Sequence, residues 1–273
     1  MAIITVSRKL AALGDETARE LANQFKYRYV DKSALEEKIK SYGVSYSKFL
    51  KYDEKKPSFL ASLSQDRDDY LHFLKRAILD EADQGDAIFI GRGTGYILKG
   101  VPGVFSVFLV APPEIRLERV KSYFHCDEKK ARGIIEQSDS DRKSFHRYFF
   151  DMKWQDPGNY HLCLNTGHLH PALCAEIVKY MRDKTVSQDT EDQGKARIKE
   201  LSLAQMVIHY ILYEKQVPVH FLEASVSNSC ITLYGVVNSQ SLIEAIVAYA
   251  QEIGSGCSVK SEIQIVQEYN VMP

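Results

Sequence analysis

The chain has 273 residues, long for one compact unit and comfortable for two, since domains favour about 100 to 150 residues. With 45% hydrophobic and 26% charged residues, its composition excludes global disorder, and 35 Lys and Arg against 36 Asp and Glu leave a net charge of -1, which excludes a broad attraction to nucleic acid or anionic membrane. Five scattered cysteines, none in a Cys-x-x-Cys pair, argue against both a disulfide framework and a zinc site.

The N-terminal apolar run is interrupted at once by Ser7, Arg8 and Lys9, unlike a cleaved leader, and no run approaches the ~20 apolar residues of a membrane span. The expectation is a cytoplasmic protein without a membrane span. AIITV (2–6) reads as a strand that is apolar on both faces, followed by the turn SRKLAALGDET and a helix in DETARELANQF, where Ala18, Leu21, Ala22 and Phe25 share one stripe. Asp31 then precedes KSALEEKIK, either as its N-cap or as part of a binding site.

DDYLHFLKRAILDEAD predicts a helix with Tyr70, Leu71, Leu74, Ala77 and Ile78 on one face, and AIFIG (87–91) and VFSVFLV (104–110) predict two further buried strands. PEIRLERVKSYF has Pro at a plausible first-turn position, DEKKARGIIEQSD and DSDRKSFHRYFF predict two helices in a charged excursion, and HLCLN (161–165) predicts a fourth strand. Before that strand Trp154 anchors a loop that Asp156-Pro157-Gly158 turns, and PALCAEIVKYMRD follows it as a helix. Alternating strands and helices predict a three-layer α/β domain with a parallel sheet over residues 1–183.

Residues 184–200 have almost no large apolar residue and read as a linker. Residues 201–273 read as a small α+β module of αββαβ order, with two strands joined around Ser227–Ser229 and a helix opened by Ser239. This module holds two basic residues (Lys215, Lys260) against six acidic ones (Glu214, Glu223, Glu244, Glu252, Glu262, Glu268), a poor composition for gripping nucleic acid or acidic lipid.

A strand, a tight turn and a helix bind phosphate when backbone N–H groups and the helix dipole converge on the anion. In SRKLAALGDET, Gly14 is the only glycine, no Lys-Ser or Lys-Thr pair follows it, and Asp15 and Glu16 are acidic. Gly14 turning the chain and Asp15 capping the helix stands as the alternative to a phosphate role. Arg92, at a strand end between Gly91 and Gly93, either holds the phosphate of an acceptor with its planar fork or pairs with a nearby carboxylate. Asp139 and Asp141 read as cap or ion-pair residues, and His146 and His161 as packing residues.

ITVSR with its turn and ARELANQFKYRYVDK, FIGRGTGYIL, VFLVAPPEIRLERV, and DSDRKSFHRYFFDMKWQDPGNYHLCLNTGHL occur in an order that resembles the cytidylate kinase-like family, a branch of the P-loop nucleoside monophosphate kinases, over about residues 3–182. The resemblance implies a P-loop kinase-like sheet flanked by helices and phosphate transfer from ATP, with Mg2+, to a nucleotide such as CMP. It implies phosphate or nucleotide contacts at Ser7, Arg8, Gly14, Asp15, Asp31 and Arg92, and lid arginines in the excursion. Arg142 and Arg147 are the catalytic candidates, while Arg132 reads more simply as a helix-face residue with an i,i+4 partner. The sequence departs from the family where Leu10, Ala11, Ala12 and Leu13 replace glycines.

From residue 201 onward, a strand ending at Gly235, the VVNSQ turn, an Ala- and Ile-rich helix and a closing strand resemble the BON domain. That resemblance implies an interaction module that binds a ligand, a protein partner or its own kinase domain, with packing or self-association as the plainer alternative. Three functions are open at this point: a nucleotide kinase, a catalytically inactive kinase-like sensor whose degenerate turn binds without turnover, or an interaction protein with no nucleotide site.

Overall fold

The computed structural model describes residues 2–43 and 66–266, and internal contacts divide the chain into two compact units between Lys195 and Ala196. Residues 267–273 of the expected C-terminal module, including the end of its last strand, lie outside the described residues.

In the first unit β1 (Ile3–Arg8), β2 (Arg28–Val30), β3 (Ala87–Ile90), β4 (Val104–Val110) and β5 (Leu162–Asn165) form one parallel sheet in the order β2-β3-β1-β4-β5. Four of these strands are the apolar runs of the sequence. The fifth, β2, has three residues, too few to show a period.

Helix α1 (Gly14–Phe25) follows β1, α2 (Lys32–Ser41) and α3 (Asp66–Asp83) follow β2, and α4 (Thr94–Ile97) is a single turn after β3. Between β4 and β5 lie α5 (Pro113–Phe124) and α6 (Glu128–Phe150), and α7 (Pro171–Thr185) follows β5. Side chains alternate along a strand, so Ile4, Val6, Ile88 and Val107 share one face and pack with Leu21 of α1 and Val178 of α7. Thr5, Ser7 and Phe108 take the other face. There Phe108 stacks on Tyr160 at 4.8 Å and meets Trp154 edge-on at 5.7 Å, while Phe149 and Phe150 of α6 reach Tyr70 of α3 at 5.1 Å and Tyr96 of α4 at 4.6 Å.

The charged excursion is not two helices, because α6 runs unbroken for 23 residues. Ser and Asp can compete for backbone hydrogen bonds, but the two Asp carboxylates of its central SDSD run do not. Those side chains are engaged elsewhere: Asp139 accepts two hydrogen bonds from Arg116, at 2.9 and 2.8 Å, and Asp141 accepts from Gln137 at 2.8 Å.

Residues 184–200 are also largely helical, as α8 (Gln188–His209). The stretch is polar, but much of it is Glu, Gln, Lys, Ala and Arg, all good helix formers. Pairs one turn apart add support, with Gln188 donating to Asp192 at 3.2 Å and Gln193 to Asp189 at 2.8 Å.

The second unit keeps the αββαβ order of the sequence. After α8, β6 (His220–Ser227) and β7 (Cys230–Val237) form an antiparallel hairpin, α9 (Gln240–Ile253) crosses over, and β8 (Ser258–Ile265) pairs parallel to β7. Asn228 and Ser229, at φ 50° and 56°, supply the two left-handed positions that a tight hairpin turn needs. Val207, Ile211, Ile231, Leu233, Ile246 and Ala250 form its core.

Trp154 is 2% exposed and closes the aromatic layer beneath α6. Trp154→Ala is expected to cost about 3–5 kcal/mol of stability, read as a shift in the denaturant midpoint. Asp31 is the N-cap of α2, accepting from the Ala34 amide at 3.0 Å. Asp31→Ala is expected to cost about 1 kcal/mol in the same measurement.

Candidate phosphate-binding cleft

Val6 lies opposite Ile90 in the β1–β3 ladder, and the Gly91 amide donates to the Val6 carbonyl at 3.1 Å. Two residues beyond that pair, Arg8 and Arg92 both emerge at the carboxyl edge of the sheet, where ligands of open α/β folds bind. They line one cavity of about 720 Å³ together with Lys32 at the start of α2 and Lys130 in the first turn of α6. Ile90 and Ile134 supply apolar wall, and Gln137, Ser138 and Asp141 supply hydrogen-bonding groups from α6. Four cationic side chains against one acidic wall residue make the cleft attractive to anions.

Arg92 is 4% exposed and sits at φ 55°, between Gly91 at 75° and Gly93 at 68°. Left-handed backbone at a non-glycine residue costs on the order of 1–3 kcal/mol and gathers at functional sites. Gly93 is required for a second reason, because a Cβ there would lie 2.1 Å from the Phe150 ring. The Arg92 guanidinium donates to the Tyr70 hydroxyl at 3.4 Å and to Glu36 at 3.3 Å, and the same carboxylate lies 3.6 Å from Lys32. Arg92 thus lines the cavity and has a carboxylate partner, as the ion-pair reading expected.

The turn between β1 and α1 is shaped without glycine at its left-handed positions, which are Ala11 (φ 59°) and Leu13 (φ 51°). Gly14 serves another purpose. A Cβ on it would lie 2.4 Å from Cγ of Arg8, so the glycine lets the Arg8 side chain cross the start of α1. Leu10 and Ala11 pack against Leu117, Val120 and Ala131, while Ala12 is buried in the main core, so none of the three lines the cavity. Among the described residues, the amides of Leu10, Ala11, Leu13, Gly14, Asp15 and Glu16 have no protein acceptor. Asp15 is exposed, lies 3.6 Å from Arg8 and accepts from Tyr29 at 3.5 Å, and burial with this carboxylate pushes the Tyr29 hydroxyl up to about 12.

Of the eight sequence candidates only Arg8 and Arg92 line the cavity; Gly14, Asp15, Asp31 and Arg142 are not part of its wall, and Ser7 and Arg147 fall away from it. Ser7 alternates to the opposite face of β1 from Arg8 and hydrogen-bonds Tyr160, whose hydroxyl burial raises to about 12 while the Ser7 bond opposes the rise. Arg147 is exposed, because the buried stripe of α6 runs through Arg142, Phe145, His146 and Phe149 and leaves position 147 on the outer side. Arg142 is 9% exposed, and its carbonyl meets the His146 ring at 2.8 Å; its neighbour Asp141 lines the cavity. Arg132 pairs with Glu128 at 2.6 Å on the solvated face.

The sequence reading missed Lys32, Lys130, Arg116 and Arg119. Arg116 and Arg119, one turn apart on α5, donate to the carbonyls of Leu10 at 2.7 Å and Ala11 at 2.9 Å. Their spacing in PEIRLERV was the available signal, but their partners lie 106 and 108 residues away. Among the described residues, no group of three or more His, Cys, Asp or Glu could hold a metal ion.

Residues 3–168 match the cytidylate kinase-like family and residues 200–267 the BON domain. Among solved structures, an uncharacterized protein from Eubacterium ventriosum ATCC 27560 aligns with 67% of this chain and 99% of its own at TM-score 0.53 and 20% identity, which shows a shared fold. Shikimate kinases from Acinetobacter baumannii, in complex with shikimate, and from Bacteroides thetaiotaomicron align at TM-score 0.39 and 14% identity, over 68% and 67% of this chain and 96% and 97% of theirs. No curated protein matches the chain. No helix among the described residues is long and apolar enough to cross a membrane. With a family match over more than half its length on a parallel sheet of this order, the chain belongs to the cytidylate kinase-like family and carries a kinase-like nucleotide-binding fold followed by a BON domain.

Proposed function

We propose that the protein binds nucleotides in this cleft and transfers phosphate from ATP to a nucleoside monophosphate such as CMP. The observation that carries the reading is the convergence of Arg8, Lys32, Arg92 and Lys130, from four separate elements, on one cavity at the carboxyl edge of the sheet. Arg92 and Lys32 take the acceptor phosphate, in place of the carboxylate of Glu36 that they share without it. The open amides of the β1–α1 turn, which follow Arg8 but do not themselves line the cavity, take the phosphates of the donor. Phosphoryl transfer depends on positioning and charge stabilisation rather than on covalent chemistry by the protein, so the site needs no nucleophile of its own.

Magnesium enters with the nucleotide. The cavity wall offers one carboxylate, Asp141, already engaged by Gln137 at 2.8 Å, so the residues present do not build a metal cage. The ion is part of the ATP substrate, carried on its phosphates with its own waters. Arg142, buried on α6 and not itself part of the cavity wall, is assigned to the transferring charge by its match to the lid arginines of the family. The BON domain serves as the interaction module, for a ligand, a protein partner or a second copy.

A second reading, binding without transfer, is favoured by the turn itself, in which no Lys-Ser or Lys-Thr pair follows Gly14 and the arginine is paired with Asp15 at 3.6 Å. Calorimetry with ATP and CMP, each with magnesium, and a phosphate-transfer assay separate the two. Binding with turnover supports transfer, binding alone supports the sensor, and silence with both nucleotides removes the site. Arg92→Ala is expected to weaken CMP binding about 10-fold or more, the worth of one charged hydrogen-bonding group. Arg142→Ala is expected to lower turnover about 100-fold while changing affinity far less. Unchanged CMP affinity in the first variant, or unchanged turnover in the second, removes that assignment.

A further inference from the structure

The Ala12 amide donates to the Lys9 carbonyl at 3.2 Å, closing a four-residue turn over residues 9–12 with Ala11 at its third position and φ at 59°. A positive φ at that position alone is the mark of a type II turn, where glycine is normally required. In such a turn the central peptide, Leu10 to Ala11, is flipped. Because the peptide is planar and trans, its carbonyl and its N–H point in opposite directions.

That carbonyl is held. Arg116, 4% exposed, donates Nε to the Leu10 oxygen at 2.7 Å, and its two terminal nitrogens are fixed on Asp139 of α6 at 2.9 and 2.8 Å. Arg119 donates to the Ala11 oxygen at 2.9 Å and to the Thr166 oxygen at 2.7 Å, and Thr166 is itself tied to the end of β4 through Val110 at 2.8 Å. Two guanidinium groups therefore grip the successive carbonyls around the one residue of this turn that has a left-handed backbone and a side chain.

We propose that Arg116 and Arg119 are positioning residues that stand in for the missing glycine of the phosphate turn: by binding the carbonyls of Leu10 and Ala11 they hold the flipped peptide and leave the Ala11 amide directed to the donor phosphates. This role rests on the reading of the turn as a phosphate cradle. Neither arginine contacts the phosphate in this arrangement; each acts through the backbone.

The test is a cycle between Arg119→Ala and Ala11→Gly, read by calorimetry with tripolyphosphate and by thermal unfolding. Arg119 is chosen because it is only half-buried, whereas loss of the buried Arg116–Asp139 pair puts folding itself at risk. Arg119→Ala is expected to weaken tripolyphosphate binding about 10-fold alone and less than about 3-fold when combined with Ala11→Gly, since glycine adopts the turn without a clamp. An equal loss in both backgrounds means that Arg119 touches the anion directly, and no loss in either means that the turn needs no clamp; both overturn the proposal. Should the parent protein bind no tripolyphosphate, the phosphate reading fails, and the clamp is judged on unfolding alone. A smaller drop in Tm for Arg119→Ala in the Ala11→Gly background then supports it, and equal drops overturn it.

Discussion

Hydrogen bonding between β1 and β3 is the constraint from which the cleft follows. The ladder sets Val6 opposite Ile90, and that register carries Arg8 and Arg92 out at the same edge although 84 residues separate them in the chain. A slip of one residue would turn Arg8 to the face that Ser7 occupies and pair it with the aromatic layer instead. Everything electrostatic about the cavity depends on this pairing, with Lys32 and Lys130 added from elements that border the same edge.

The two arginine-bearing turns meet their backbone demands differently. After β3, glycines flank Arg92 and only the arginine itself carries strain, which a shared carboxylate and a tyrosine hydroxyl offset by satisfying its buried charge. After β1 the strained positions are Ala11 and Leu13, and the compensation comes from other elements: α5 arginines for the first, and the Thr17 amide and hydroxyl, at 3.0 and 2.7 Å from the Leu13 carbonyl, for the second. Absence of glycine at the left-handed positions of this turn is therefore no direct measure of a lost conformation.

The strands were readable in the sequence because short runs rich in β-branched and aromatic residues are bounded by turn residues, with only isolated polar residues such as Thr5 and Ser106 inside them. The placement of Arg92 at a strand end was readable because two glycines frame it, and the cap role of Asp31 because its partner is three residues away. Ser7 and Arg147 were misplaced for the opposite reason: a motif names neighbours in sequence, whereas strand alternation and the 100° step of a helix send neighbours to different sides. The SDSD run and residues 184–200 show the limit of local composition, since Arg116 and the i,i+4 pairs decide those segments in favour of helix. Arg116 and Arg119 acquire meaning only through carbonyls more than 100 residues away.

Because α6 is unbroken, its cleft end and its aromatic end move as one rod. Lys130, Gln137 and Asp141 stand over the cavity, and farther along the same helix His146 lies stacked against Trp154 at 5.9 Å. Trp154 is the chain's single tryptophan. The indole is thus wired mechanically to the mouth of the cleft, and its emission gives an optical gauge of how the helix settles over whatever the cavity holds.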